Sequence, residues 1–219
     1  MSEELRLDGA LTRWSAGERR GMPLLVLLHG YGADEHDLFG LVPYLPERIA
    51  VASVAAPLAP PWPMPGRSWY PIEGLDGRSA ESVTAAAGAF LRWLDEEAAD
   101  ASSVAFLGFS QGAAVALQAL RLDPERVDAV VALSGYVAPG ELPRDAELVG
   151  LRPPVFWGRG SHDDVIPDAL VAHTAEWLPG HSELSGRVYT GLTHSISEEE
   201  LGDVRAFLAK WLERIAETG

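Results

Sequence analysis

The chain has 219 residues, 47% of them hydrophobic, enough for one well-buried domain and too apolar for a disordered chain. Its formal charge of −15, from 17 basic and 32 acidic residues, argues against nucleic acid or an anionic membrane surface as a partner. It contains no cysteine, which excludes disulfides and thiolate metal sites.

The first twenty residues lack the apolar core of a signal peptide, and no apolar run approaches a membrane span, so a cytoplasmic setting is expected. Residues 5–14 are compatible with an antiparallel edge strand. Residues 23–29 (Pro-Leu-Leu-Val-Leu-Leu-His) read as a fully buried strand, and 37–45 as a short helix interrupted near Pro43. A second buried strand covers 49–55. Six prolines then fall between Pro57 and Pro71, with Trp62, Met64, Trp69 and Tyr70 among them, which predicts a stiff, irregular loop displaying aromatic residues. Val83, Ala87, Phe90, Leu91 and Leu94 recur at helical spacing within 79–99. Strands follow at 103–107, 127–133, 154–158 and 184–189, and helices at 113–120, 168–177 and 197–214. Ser197 suits the N-cap of the last helix, with Glu200 in the capping-box position. Near-continuous apolar strands alternating with helices predict one α/β domain, a mostly parallel sheet covered on both faces.

The segment that carries chemistry is Gly108-Phe109-Ser110-Gln111-Gly112, set between a strand and a helix. A Ser on such a turn is a nucleophile elbow: the sharp backbone leaves no room for side chains two residues to either side, so Gly stands at both. The hydroxyl is lifted to a helix N-terminus, where peptide dipoles favour developing negative charge. In a parallel α/β sheet its partners belong in loops after later strands. Of six histidines, His194 alone lies in a loop after the final strand and before the final helix. His29 reads as support for the loop that follows the first strand, and His181 as a surface loop residue. The acid comes from Asp163 or Asp164, adjacent residues whose side chains diverge, after the 154–158 strand. A metal reading of His162-Asp163-Asp164 finds no second ligand cluster, and no metal or other cofactor is expected. The order Ser, Asp, His is that of the α/β-hydrolase fold. An oxyanion site needs two backbone N–H groups, one from Gln111 and one from the Gly30-Tyr31-Gly32 loop.

With these segments assembled, the chain resembles the small carboxylesterase/phospholipase family that includes the acyl-protein thioesterases. The resemblance rests on Leu28-His29-Gly30-Tyr31-Gly32-Ala33-Asp34, Met64-Pro65 with Ser68-Trp69-Tyr70, the Phe-Ser-Gln form of the elbow, Leu133-Ser134-Gly135, Gly160-x-x-Asp163-x-x-Ile166-Pro167 and Gly191-x-x-His194-Ser195. It departs where family members often have Leu in place of Tyr31 and an acidic residue in place of Pro71, and where Gly66-Arg67 has the look of an insertion. The resemblance implies Ser110 as nucleophile, Asp163 as acid, His194 as base, and Tyr31 and Gln111 as oxyanion donors. It also implies an α/β-hydrolase fold without a large cap domain, and a small ester or thioester as substrate. Trp62, Met64, Trp69 and Tyr70 are then expected to line an apolar acyl groove. Lysophospholipase or acyl-protein thioesterase activity, or an idle binding module on the same fold, are the alternatives. A monomer or homodimer is expected.

Overall fold

The computed structural model describes residues 5–15, 17, 19–72 and 79–218. Among these residues seven strands form one sheet: β1 (Arg13–Trp14), β2 (Pro23–Leu28), β3 (Ala50–Val54), β4 (Ser103–Phe109), β5 (Ala129–Leu133), β6 (Pro154–Gly160) and β7 (Glu183–Tyr189). Their spatial order is β1-β3-β2-β4-β5-β6-β7. All pairings are parallel except that of β1 with β3. Among the described residues there are five α-helices, α1 (Ala80–Glu97), α2 (Gln111–Leu122), α3 (Asp145–Leu151), α4 (Asp168–His181) and α5 (Glu198–Thr218).

The apolar runs of β2 to β6 show no polar alternation because both faces are covered. One face packs Leu24, Val26, Phe106 and Val130 against α1, α2, Leu148 of α3 and Leu178 of α4. The other packs Leu25, Leu27, Leu107 and Val131 against Val204, Leu208 and Trp211 of α5 and Leu38 of a 3₁₀ turn, Leu38–Tyr44. Among the described residues no helix is long and apolar enough to cross a membrane.

Most expected elements are present, with three corrections. The N-terminal edge strand is only β1, because Asp8 accepts the Ala10 N–H and caps a 3₁₀ turn at Gly9–Leu11 instead. α4 runs four residues past the expected end at 177, through Pro179 and Gly180, and His181 closes the helix rather than lying in a loop. Its ring stacks on Trp177 at 3.9 Å and bonds the Trp177 carbonyl, while Arg152 donates to the carbonyls of Pro179, Gly180 and Ser182. α3 was not foreseen; seven residues carry too little periodicity to read.

What holds α3 is a buried ion pair. The Arg121 guanidinium, 1% exposed, donates both Nε and Nη2 to the Asp145 carboxylate at 2.9 and 2.7 Å. Its remaining donors reach Gln118 Oε1 and the carbonyls of Ala138 and Gly140. Every N–H of the fork is used, which is the condition under which a buried charge is tolerated. Burial opposes the charge on Asp145, yet the Arg121 bonds and the Leu142 N–H outweigh it and hold the carboxyl below its ordinary range.

Asp145→Ala is expected to lower unfolding stability by about 3–5 kcal/mol, since it leaves the guanidinium buried and uncompensated. Urea denaturation at neutral pH measures this; a loss below about 1 kcal/mol would show the pair to be incidental.

Candidate active site

At the end of β4 the chain enters α2 through Ser110, with φ 54° and ψ −116°. A non-glycine residue in that region carries roughly 1–3 kcal/mol of strain and persists only where its surroundings impose it. Here they do. The Ser110 N–H bonds the Leu133 carbonyl at 2.8 Å. A Cβ on Gly108 would stand 2.4 Å from the Ala113 nitrogen, and one on Gly112 would stand 2.0 Å from the Leu28 carbonyl oxygen. Both flanking glycines are required by close backbone approach, as the sequence suggested.

The Ser110 hydroxyl lies 2.9 Å from Nε2 of His194, whose Nδ1 lies 2.8 Å from Oδ2 of Asp163. The carboxylate only accepts, so Nδ1 carries the hydrogen and Nε2 is left to accept from Ser110. The other carboxylate oxygen of Asp163 accepts the N–H groups of Val165 and Ile166. Burial works against its charge, but the bond from His194 and these two amides prevail and keep its pKa below the usual carboxylate value. Asp163, not its exposed neighbour Asp164, reaches the imidazole. The ring of Phe109 packs on His194 at 4.9 Å.

The two loops that deliver these partners are joined backbone to backbone. His162 N–H bonds Leu192 O at 2.9 Å, Ser161 N–H bonds Tyr189 O at 2.9 Å, and Gly191 N–H bonds Ser161 Oγ at 2.8 Å. A Cβ on Gly160 would meet the Leu192 carbonyl oxygen at 2.0 Å. This contact fixes the distance between Asp163 and His194.

The loop after β2 is held from below and from the side. His29 is fully buried; its Nδ1 donates to Gly30 O at 2.8 Å and its Nε2 accepts from Ala56 N–H at 3.1 Å. Burial lowers its pKa, so it stays neutral and braces the loop, as expected for it. Gly32 N–H bonds Arg67 O, and Arg67 N–H bonds Ala33 O, both at 2.8 Å. Gly66, at φ 74°, permits this clamp: a Cβ there would strike Gly32 O at 2.1 Å. The segment read as an insertion therefore positions Tyr31. Gln111 opens α2, where its N–H has no intrahelical acceptor, and it lines the same cavity as Tyr31.

That cavity has a volume of about 220 Å³ and contains both Ser110 and His194. Tyr31, Tyr70, Phe109 and Tyr136 supply aromatic walls, and Ile72, Val165 and Ile166 aliphatic ones. The exposed Asp37 also lines it. Of the four residues expected to line an acyl groove, only Tyr70 does. Trp69 is fully buried instead: it sits between His29 and Phe90, and its Nε1 donates to His29 O at 2.9 Å. Trp62, 92% exposed, does not line the cavity, and Met64 lies over Gly32 with half its surface free. Alternating aromatics in a proline-rich loop give no sign of which ring turns inward. Tyr136, Val165 and Ile166 were missed, although each follows a strand end on the side where such sites form.

The side chain of Gln111 has a second task that the sequence did not suggest. Its Oε1 accepts Trp69 N–H at 2.8 Å and its Nε2 donates to Tyr70 O at 2.6 Å. Thus the residue after the candidate nucleophile also anchors the segment that carries Tyr70, whose hydroxyl meets that of Tyr136 at 2.7 Å. Glu200 is likewise different from its expected role. Ser197 Oγ does accept the Glu200 N–H at 3.1 Å, but the Glu200 carboxyl turns inward, fully buried, rather than completing a capping box. It fits over Gly158, where a Cβ would come within 2.2 Å of Oε1. Neither oxygen has a hydrogen-bond partner among the described residues.

A profile of the phospholipase/carboxylesterase family matches residues 13–212. Over 196 residues the chain is 29% identical to the Escherichia coli K12 protein named esterase YpfH, covering 84% of this chain and 81% of that one. It is 35% identical over 109 residues to acyl-protein thioesterase 1 of Saccharomyces cerevisiae, a match that takes in 48% of each chain. The chain thus spans about half the length of this and the next curated yeast relatives it matches. Among solved structures, esterase PE8 superposes with a TM-score of 0.77 at 25% identity, over 94% of this chain and 99% of that one.

Burial raises the Glu200 carboxyl from its ordinary 4.5 to about 7, with the Asp203 charge adding to the effect. In this window the folded chain holds a proton that the unfolded chain has released, so this group's contribution to stability falls as pH rises. The stability of Glu200→Gln relative to wild type is expected to increase by up to about 3 kcal/mol between pH 4.5 and 8. Urea unfolding of both proteins across that range measures it; a constant difference would mean the carboxyl does not titrate there.

Proposed function

The chain belongs to the phospholipase/carboxylesterase family of α/β hydrolases, and from that premise we propose that it is a serine hydrolase cleaving small carboxylic esters or thioesters through an acyl-enzyme on Ser110. The observation that carries the reading is the continuous chain of contacts from Ser110 Oγ to His194 (2.9 Å) and from His194 to Asp163 (2.8 Å), on a strained elbow.

In this mechanism Ser110 Oγ attacks the carbonyl carbon while Nε2 of His194 takes its proton. Asp163 holds the productive tautomer and stabilises the imidazolium. The N–H groups of Tyr31 and Gln111 receive the oxyanion of the tetrahedral intermediate. Collapse breaks the bond to the alcohol or thiol, which leaves with the proton from His194. Water then attacks the Ser110 ester, giving its proton to His194, and the acid departs as Oγ is reprotonated. No cofactor enters the cycle. Every group comes from one chain, so a monomer and a homodimer serve equally well, and the proposal retains the cytoplasmic setting and single domain expected from the sequence.

The names of several relatives make acyl-protein thioesterase the second reading. The cavity size speaks for small acyl groups: about 220 Å³ is below the roughly 300–1,000 Å³ of pockets that enclose drug-sized ligands. Each buried methylene contributes about 0.8 kcal/mol at most, and the gain stops where the wall ends.

A fluorophosphonate probe is expected to label wild type at Ser110 and to leave Ser110→Ala unlabelled, with ester turnover reduced about 10³-fold or more. In the same assay Asp163→Asn should lower kcat by roughly 10²–10⁴-fold, and Asp164→Asn by no more than a few-fold. An unlabelled wild-type protein would favour an idle binding module; a more damaging Asp164→Asn would reverse the choice of acid.

Across p-nitrophenyl esters of rising chain length, kcat/KM is expected to peak at short to medium acyl groups. A steady rise through palmitate would favour the thioesterase reading instead.

A further inference from the structure

The cavity at Ser110 has a composition that the hydrolytic mechanism does not require. Four aromatic side chains, Tyr31, Tyr70, Phe109 and Tyr136, line a space of about 220 Å³. No lysine or arginine is among its described lining residues, whereas the exposed Asp37 is. Asp37 lies on the same loop as Tyr31, where the 3₁₀ turn Leu38–Tyr44 begins. Its neighbours Asp34 and Glu35 are engaged by His36, at 3.3 and 3.2 Å. Asp37 itself is exposed, with no ion pair among the described residues. Asp37 is the one carboxylate among the described lining residues of the cavity, on a chain whose net charge is −15.

Aromatic rings present negative faces that attract cations, and several rings with one carboxylate are the surroundings in which quaternary ammonium groups are bound. A trimethylammonium group is also weakly hydrated and apolar enough to fit such walls. An anion near the carbonyl would meet the opposite: no counter-charge among the described lining residues, and repulsion from Asp37.

We propose that the site selects its ester by charge, favouring substrates with an alkylammonium group within a few atoms of the scissile carbonyl and disfavouring anionic ones, with Asp37 as the specificity-determining residue. This rests on the hydrolase reading above. The cation can belong to the alcohol or to the acyl part, and isosteric pairs separate the two. Choline butyrate against 3,3-dimethylbutyl butyrate carries it on the alcohol. Ethyl 4-(trimethylammonio)butyrate against ethyl 5,5-dimethylhexanoate carries it on the acyl chain.

For at least one pair the ratio of kcat/KM, charged over neutral, is expected to be about tenfold at low ionic strength. It should fall toward one in Asp37→Asn. In wild type it should drop several-fold at high salt, a reading that needs no variant. A ratio at or below one for both pairs overturns the proposal, as does a preference that survives both Asp37→Asn and salt. Neutral esters that are not hydrolysed at all, together with no fluorophosphonate labelling, would overturn the hydrolase reading and this inference with it. Hydrolysis of neutral esters without charge preference overturns the inference alone.

Discussion

The site depends on the backbone of Ser110. A φ of 54° at a non-glycine residue is an unfavourable conformation, and three contacts hold it: the Ser110 N–H on Leu133, the Gly108 turn against Ala113, and Gly112 against Leu28. Each anchor belongs to the parallel sheet or to the helix behind it. β4 is central, hydrogen-bonded to β2 on one side and β5 on the other. The strain is therefore carried at the centre of the sheet, and the hydroxyl is presented where α2 begins.

Around that fixed point, chemistry is brought together by loops that are themselves tied. Asp163 and His194 sit on loops after β6 and β7, neighbouring strands, so a few backbone hydrogen bonds between the loops suffice to set their spacing. Tyr31 follows β2 and is set by the clamp between Gly32, Ala33 and Arg67. Gln111 links the elbow to residues 68–70 through its carboxamide, so the nucleophile and one wall of the cavity are not independent. Disturbing residues 57–71 would reach the oxyanion loop and the pocket together.

Residues 57–71 also show how one loop serves two ends. Trp69 faces the core and supports His29, which supports Gly30, whereas Tyr70 faces the cavity. Adjacent aromatics on this loop thus divide between packing and the cavity. The buried Glu200 carboxyl and the Arg121–Asp145 pair are two further polar commitments in the interior, and they differ in kind. Arg121 has every donor satisfied and holds α3 in place. At Glu200 burial instead favours the protonated form and raises the carboxyl above its ordinary range.

The sequence alone determined the parallel α/β architecture, because uninterrupted apolar strands alternating with amphipathic helices can bury themselves in few other ways. It also carried Ser110 with its two glycines, and His194 and the adjacent pair Asp163 and Asp164 at the ends of later strands, because close backbone approach and strand-end position leave local marks. It did not carry α3, the length of α4, the inward turn of Glu200, or the choice among Trp62, Met64, Trp69 and Tyr70. Those depend on partners far away in the chain, such as Arg121, 24 positions from Asp145, or Gln111, 42 positions from Trp69. Local composition states what a side chain tolerates; only the packed sheet decides which surface it meets.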